Sequence, residues 1–432
     1  MSKKLKINIL LFNKNLRVRD NEALKLAMQG ELPFIALYIF DSQEYNQMQY
    51  GSAIHGCFRT KFLVETIQDL KLSLAQKNIP LVVKHTKSID VFIELNKSFA
   101  IQTIFSQNEW TFHEMELEKS INELFPQIRW NKSYSQFLIH PQFTFSVFEK
   151  IPDLFTAFRQ KIEKKLKVSP EYETESLSYK NTSIDIKSDE ISLGVLGFDQ
   201  FKIDNRTAFD FKGGESQGWK RLNYYFTESE LLGKYKETRN GLLGLDYSSK
   251  LSAWLANGSL SAVSIYHEVR NYEKHYGANE SSYWFIYELF WRDFFKYVSL
   301  AHKNKIFHKK GIKDLSYPTS PNYEAIAEWK AGKTACDFVN ANMIELKNTG
   351  WMSNRGRQNV ASYFCKTLHQ DWRIGAAYFQ EMLIDYDVHS NYGNWMYLAG
   401  VGNDNRDRVF NTCKQATVYD PEKIYRELWL GQ

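Results

Sequence analysis

Four cysteines in 432 residues, at positions 57, 336, 365 and 413, have neither the spacing of a metal site nor that of a disulfide framework. Free thiols in a reducing compartment are the expectation. No stretch approaches the ~18 apolar residues that a membrane helix needs. The N-terminus, MSKKLKINILLFNK, begins like a secretory leader, but its apolar run is short and Asn8 interrupts it, so a first core strand is expected there. The glycine-rich phosphate loop of an ordinary dinucleotide fold is missing; FNKNLRVRDN follows the first apolar run instead. Internal repeats and low-complexity tracts are absent as well. A formal net charge of +5 permits an acidic partner without requiring one. These absences together lead to the expectation of a soluble, cytoplasmic, monomeric protein with no metal centre.

What is there is apolar material: 43% hydrophobic and 15% aromatic residues, enough for a large core in a chain long enough for two or three domains. Short buried strands are expected at 6–12 (KINILLF), 33–40 (PFIALYIF), 80–84 (PLVVK), 103–107 (TIFSQ) and 128–131 (IRWN). Helix-patterned segments separate them: Asn21–Met28, Phe58–Gln76, Ile89–Ser98 and Glu114–Leu124. This alternation predicts an α/β domain over 1–132, a five-stranded parallel sheet with helices on both faces. Residues 133–212, with polar pieces such as ESLSYKNTSIDIKSDEISLG, read as a long linker holding one helix, Asp153–Leu166. From 213 to 432 the pattern is helical, so the second domain is expected to be all-α.

The unusual chemistry gathers between Trp351 and Tyr397. From Lys347 to Arg373 five basic residues face one acid, Asp371. Ser353 is placed to cap a helix whose first turn carries Arg355 and Arg357. Cations there oppose the helix dipole, which a sequence tolerates where an anion such as phosphate waits. Asp385, Asp387, Asn391 and spaced tryptophans follow, a set that suits a polar, aromatic cofactor. Upstream, the segment Tyr283–Val298 is apolar nearly all round, which predicts a buried helix. Within it Glu288 has two readings: an i,i+4 ion pair with Arg292, or a carboxylate lining a ligand cavity beside Trp291.

Six stretches, in order, resemble the cryptochrome/photolyase family and within it the DASH cryptochrome branch. They are GGESQGWKRLNYYF (213–226), YKETRNG (235–241), DYSSKLSAWLANGSLS (246–261), YELFWRDFF (287–295), TGWMSNRGRQNVASYF (349–364) and SNYGNWMYLAGVGND (390–404). The resemblance covers nearly the whole chain and rests on the number and order of these stretches. It implies an N-terminal antenna domain, a long linker and a helical domain that holds FAD folded into a U. Ser248, Ser249, Lys250, Leu251 and Ser252 match the loop that binds the FAD phosphates, where hydroxyls and backbone N–H groups suit an anion. Tyr235 matches a residue near the diphosphate; Trp291, Arg292, Asn354 and Arg357 match others of the flavin pocket. Asp385 and Asp387 match the acids beside the isoalloxazine and ribose, which accept from N–H and O–H donors. Arg357 matches the arginine paired with the first of them. Asn391 matches the residue facing flavin N5, where an amide favours the reduced flavin and the repair-competent side of the family.

The reaction implied by the resemblance is light-driven. Excited reduced FAD passes an electron to a cyclobutane pyrimidine dimer, the ring splits and the electron returns; the protein supplies placement and electrostatics. Glu288 matches the carboxylate that hydrogen-bonds the bases of the dimer, and Trp291 and Tyr397 match the rings that sandwich the flipped lesion. Gln358 stands where the family usually has methionine. A more polar wall grips a dimer less well, in keeping with the DASH preference for single-stranded DNA, where roughly a few kcal/mol of flipping cost falls away. Arg239, Arg355, Lys347 and Lys366 are candidate phosphate contacts. Trp395 and Trp372 match the first two members of the family's electron chain; Thr319 stands at the third, so Tyr317, Tyr323 or another aromatic would replace it. Glu109, after a predicted strand, matches the acid that binds a 5,10-methenyltetrahydrofolate antenna. Glu288 and Asn391 favour a photolyase. The alternatives are a blue-light-sensing flavoprotein that binds nucleic acid and signals, and a flavin oxidoreductase without photochemistry. A chain ending at Gln432, directly after the helical domain, is expected to lack a signalling tail, and nothing resembles a nicotinamide site.

Overall fold

The structure, a computed structural model, describes residues 4–174, 184, 186–317, 319, 321–404, 406 and 408–431. The expected sheet opens it. Five strands lie in the order Leu81–Thr86, Phe34–Asp41, Leu5–Leu11, Phe99–Gln107 and Arg129–Ser133, each parallel to its neighbour. The Leu5–Leu11 strand is central because its side chains feed two cores. Ile7, Ile9 and Leu11 pack with Val91, Phe92 and Ile121, whereas Leu10 packs on the opposite side with Leu24, Ile67 and Leu70. Period-two alternation with both sets apolar requires helices on both faces.

Those helices are Glu22–Gln29, Cys57–Ala75, Ser88–Ser98 and Phe112–Leu124, within two residues of the expected starts. The fourth strand begins at Phe99 rather than at 103, because Phe99 and Ala100 pair with Leu5 and Lys6 before a bulge at Ile7/Asn8. A two-stranded hairpin, Met48–Gln49 with Ser52–Ala53, has no signal in the hydrophobic pattern. In the connecting stretch the expected helix is shorter, Phe155–Glu163, and a second, Pro141–Val147, precedes it. Of ESLSYKNTSIDIKSDEISLG, residues 175–183 and 185 lie outside the described residues.

From Glu215 onward the regular structure is helical, as expected. Its axis is the helix Glu280–His302. Asn279 starts this helix: its side chain accepts from the N–H groups of Ser281 and Ser282 at 2.9 Å, and its own N–H donates to the Ser282 hydroxyl at 3.2 Å. Phe285, Leu289, Phe290, Phe294 and Tyr297 are buried along it; Tyr283, at the start of the segment expected to be buried, is exposed and donates to Glu163 at 2.8 Å. Among the described residues no helix is long and apolar enough to cross a membrane.

Arg17 joins the two parts. Its buried guanidinium donates to Gly258 O at 2.9 Å, Asp20 O at 2.7 Å and Ser135 O at 3.0 Å. A cation so deeply desolvated needs such partners. Gly258, at φ 76°, lies so close that a Cβ there would stand 1.9 Å from Lys14 O. The first loop therefore reads NKNLRVRD because it docks the helical part, and no glycine-rich phosphate cradle is formed there.

Candidate functional site

A cleft forms where the helices Asn354–Ser362 and Val388–Ala399 meet the connecting stretch 383–387. Its walls include Asn354, Arg357, Gln358, Asp385, Asp387, Asn391 and Trp395. Ser353 caps the first helix as expected, its hydroxyl accepting from Gly356 N at 3.0 Å. That cap places Arg357 to reach Asp385 at 2.9 Å while its Nε donates to Met352 O at 2.9 Å. Asp385 also accepts from the Ser252 hydroxyl at 2.7 Å, which ties the cleft to the 248–252 loop. Asp387 caps the second helix by accepting from Ser390 N at 2.8 Å, and its other oxygen accepts from Lys296 Nζ at 3.1 Å. Burial, the largest single influence, would raise this carboxyl; Lys296 together with His389, Arg292 and the Ser390 N–H outweighs it and holds the group well below the usual carboxylate range.

The Val388–Ala399 helix presents the next two residues. The Asn391 amide donates to Ala376 O at 3.0 Å, which leaves its Oδ1 as the acceptor toward the cleft. Trp395 lies against Gly375, where a Cβ would come within 2.2 Å of the ring, so only glycine permits this approach. Its indole N–H has no partner among the described residues. Trp372 belongs to the same core, its N–H on Lys309 O at 3.0 Å and its ring 6.0 Å from Tyr392. Lys309 Nζ in turn donates to Thr319 at 2.7 Å. Of the two expected substitutes, Tyr317 donates to Gln370 O at 3.0 Å and Tyr323 is exposed. Trp329 lies 6.3 Å from Trp395, a neighbour the sequence reading did not single out.

In the 248–252 loop, Arg221 gathers the carbonyls of Leu245, Ser248 and Ser249 at 2.9–3.1 Å. Leu251 N turns to the Ser249 hydroxyl at 3.4 Å. Lys250 adopts φ 60° and points inward, its amine 3.3 Å above the Tyr247 ring. Burial there pushes the amine well below the usual lysine range. Tyr235 packs on Phe285 at 5.0 Å.

The i,i+4 pair between Glu288 and Arg292 does not form. Glu288 pairs with Arg239. Burial raises the carboxyl of Glu288 above its ordinary range and Arg239 opposes that. Arg292, expected in the cofactor pocket, does not line the cleft itself and bonds at the junction with the first part. It donates to Gln136 O at 2.6 Å and Leu255 O at 3.4 Å, beside Asp293 at 3.5 Å. Trp291 is stacked on Phe155 at 3.7 Å, which covers one face of its ring. Arg355 donates to Asn240 and to Gln358 at 2.9 Å each and lies over Tyr419. The ring of Tyr397 lies under Arg408 at 5.5 Å. Lys366 donates to Ala399 O at 3.0 Å, whereas Lys347 is exposed on the last turn of Asp337–Thr349.

A second, larger cavity of about 570 Å³ lies at the carboxyl ends of the Leu5–Leu11 and Phe99–Gln107 strands, against the helical part. This is the place where an open parallel sheet binds ligands. Glu109 sits in its wall, accepting from Gln107 at 2.7 Å. Arg59 Nε, His55 Nδ1 and Gln107 Oε1 are buried there without partners among the described residues. Arg59 also lies over Tyr386, a residue that lines both cavities. The sequence reading missed Arg59 and His55, which stand in a stretch with no motif. It also missed Lys296, although a lone lysine inside DFFKYV signals a buried cation that needs a partner.

Two family descriptions match this chain: DNA photolyase over residues 8–176, and the FAD binding domain of DNA photolyase over residues 285–432. Cryptochrome DASH of Gloeobacter violaceus is 39% identical over 98% of this chain and 85% of its own length. Cryptochrome DASH of Synechocystis is 40% identical over 98% of this chain and 87% of its own. The crystal structure of a Synechocystis cryptochrome superposes with a TM-score of 0.94 at 39% identity, covering 100% of this chain and 90% of that one.

Proposed function

Because the chain belongs to the DASH cryptochrome branch of the cryptochrome/photolyase family, with an FAD-binding helical part, we propose that it repairs cyclobutane pyrimidine dimers in single-stranded DNA under illumination. The observation that carries this reading is Glu288, a half-buried carboxylate paired with Arg239, 49 residues away in the chain. A carboxyl group held there is placed to hydrogen-bond pyrimidine N–H and carbonyl groups. Tyr397 and the open face of Trp291 would flank a flipped lesion, and Arg239 and Arg355 would meet the backbone. Arg355 holds the Gln358 carbonyl at 2.9 Å, which leaves the Gln358 amide hydrogens for the lesion.

The cleft fits FAD chemically. Asp385, Asp387 and Asn391 Oδ1 are acceptors for a ring edge and ribose rich in N–H and O–H groups, and the Trp395 N–H is an unclaimed donor. FAD, when bound, supplies the absorbed light and the transferred electron. The chain's own residues orient it: Arg357 and Ser252 hold Asp385, Lys296 holds Asp387, and Ala376 O fixes the Asn391 amide. We assign 1–132 to the antenna domain, 133–212 to the linker and 213–432 to the catalytic domain. The larger cavity, with Glu109 in its wall, is our candidate site for a 5,10-methenyltetrahydrofolate antenna.

The test is to irradiate the reduced protein with dimer-containing single- and double-stranded oligonucleotides and count restored thymines. Restoration in single strands exceeding that in duplex is expected. No restoration in either form would replace this reading with that of a blue-light sensor.

A further inference from the structure

The two cavities are joined by a row of alternating charges, half-buried at Glu114 and Lys14 and buried from Glu109 to Asp387. Lys14 bonds Glu114 at 2.6 Å and lies 4.0 Å from Glu109, and all three line the larger cavity. Lys296 bonds Asp387 at 3.1 Å, and Asp387 lines the flavin cleft. Glu109 and Lys296 lie within electrostatic reach of each other and close the row. The order is therefore Glu114, Lys14, Glu109, Lys296, Asp387, with signs minus, plus, minus, plus, minus. The Glu109 and Lys296 side chains are only 3% and 4% exposed. Charges so far from water are weakly screened and act on one another at longer range than surface charges do. Arg292 and the buried His389, whose Nδ1 meets Ser299 Oγ at 2.6 Å, also face the Lys296–Asp387 pair.

The pair governs more than local charge. Asp387 caps the helix that carries Asn391 and Trp395 one and two turns later. A lysine needed only to neutralise Asp387 would require no connection to the larger cavity. The presence of Glu109 beside Lys296 dilutes its positive field at the cleft, and Lys14 in turn offsets Glu109.

We propose that Lys296 is a positioning residue for the flavin reaction that balances Asp387 in the cleft and, through Glu109 and Lys14, lets the charge of the larger cavity set how readily the flavin is reduced. This rests on FAD occupying the cleft. Reduction adds negative charge to the ring, so an uncompensated Asp387 disfavours it and Lys296 favours it. Removing the Glu109 charge leaves Lys296 less compensated and shifts the balance the other way.

The experiment measures the reduction potential of bound FAD by dye-equilibrium titration, with FAD affinity measured in parallel by fluorescence. Lys296→Met is expected to lower the reduced-to-oxidised ratio at a fixed potential about tenfold, ~30 mV for a two-electron couple. Glu109→Gln, on the far side of Lys296 from the cleft, is expected to raise that ratio about threefold with FAD affinity unchanged. Lys296→Arg is expected to keep the wild-type value. A purely structural lysine would not produce shifts of opposite sign. An unchanged potential in Glu109→Gln overturns the proposal, and this arm decides it even if Lys296→Met does not fold. A wild-type chain that takes up no FAD overturns the flavin reading itself, whereas loaded variants with unmoved potentials overturn only the role of Lys296.

Discussion

Glu288 is paired with Arg239, 49 residues earlier in the chain, and not with Arg292 one turn along its own helix. The partner comes from the YKETRNG segment, so the ion pair joins that segment to the helix Glu280–His302. If the pair receives a pyrimidine dimer, Glu288→Ala should lower the rate of thymine restoration by one to two orders of magnitude with FAD content unchanged. That corresponds to a missing charged hydrogen bond of roughly 1.5–3 kcal/mol. Arg239→Ala should weaken binding to a single-stranded oligonucleotide and reduce the salt slope by about 0.7 for each phosphate no longer neutralised. Undiminished repair in Glu288→Ala would remove this residue from the reaction.

Arg17 offers a test that involves no cofactor. Its guanidinium satisfies three buried carbonyls, one of them Gly258 O in the helical part. Arg17→Leu leaves those acceptors unpaired and should destabilise the protein by about 3–5 kcal/mol. Urea unfolding followed by tryptophan fluorescence reads this as a lower midpoint. A loss below ~1 kcal/mol would mean that the junction is held by its apolar contacts instead.

What the sequence reveals and what it hides divide along physical lines. The strands were legible because KINILLF and PFIALYIF are apolar on both faces, a pattern with few solutions. The Ser353 cap was legible because a cap is a local feature, whereas the Arg357–Asp385 pair, 28 residues apart, was expected only from the resemblance to the family. The partner of Glu288 was not, since an i,i+4 neighbour is the only candidate that spacing can supply and the true partner is 49 residues away. The same holds for Arg292, whose acceptors Gln136 O and Leu255 O are backbone atoms brought close only by the fold. The polar wall of the larger cavity was hidden too: His55 and Arg59 bracket the start of the helix Cys57–Ala75, and nothing in that composition separates them from surface residues.

Glu345 gives a pH dependence with a definite sign. It is buried in the helix Asp337–Thr349, accepting from the Tyr425 hydroxyl at 2.7 Å. Burial pushes it from 4.5 to about 7, against the opposing pull of Tyr425, Lys250 and Arg357. The folded state thus holds this proton more tightly than the unfolded chain, so stability falls as pH rises from about 4.5 to about 7. Glu345→Gln keeps an acceptor for Tyr425 and removes the charge. It should be more stable than wild type by up to ~3 kcal/mol at about pH 8, and the advantage should vanish near about pH 4. Denaturant midpoints measured at both values check it; a difference independent of pH would show that Glu345 is not the titrating group.

The electron route can be decided between two tryptophans. Trp395 borders the cleft, and Trp372 and Trp329 share its core. Family likeness favours Trp372, whereas ring separation gives Trp329 a claim at 6.3 Å from Trp395. Trp372 has Tyr392 at 6.0 Å, a buried residue that lines the larger cavity, so this path can continue through an aromatic residue to that cavity. Trp329 is as buried as Trp372, with Tyr378 at 5.8 Å as its further neighbour and a lysine, Lys330, over the Tyr378 ring at 5.0 Å. A cation there disfavours positive charge on Tyr378, which makes that branch a poor exit. Trp372→Phe should therefore slow blue-light reduction of bound FAD by a thiol donor at least tenfold, while Trp329→Phe should leave it within about twofold, tenfold being ~1.4 kcal/mol of barrier. The opposite ranking would place the route through Trp329 and show that the lysine above Tyr378 does not close it.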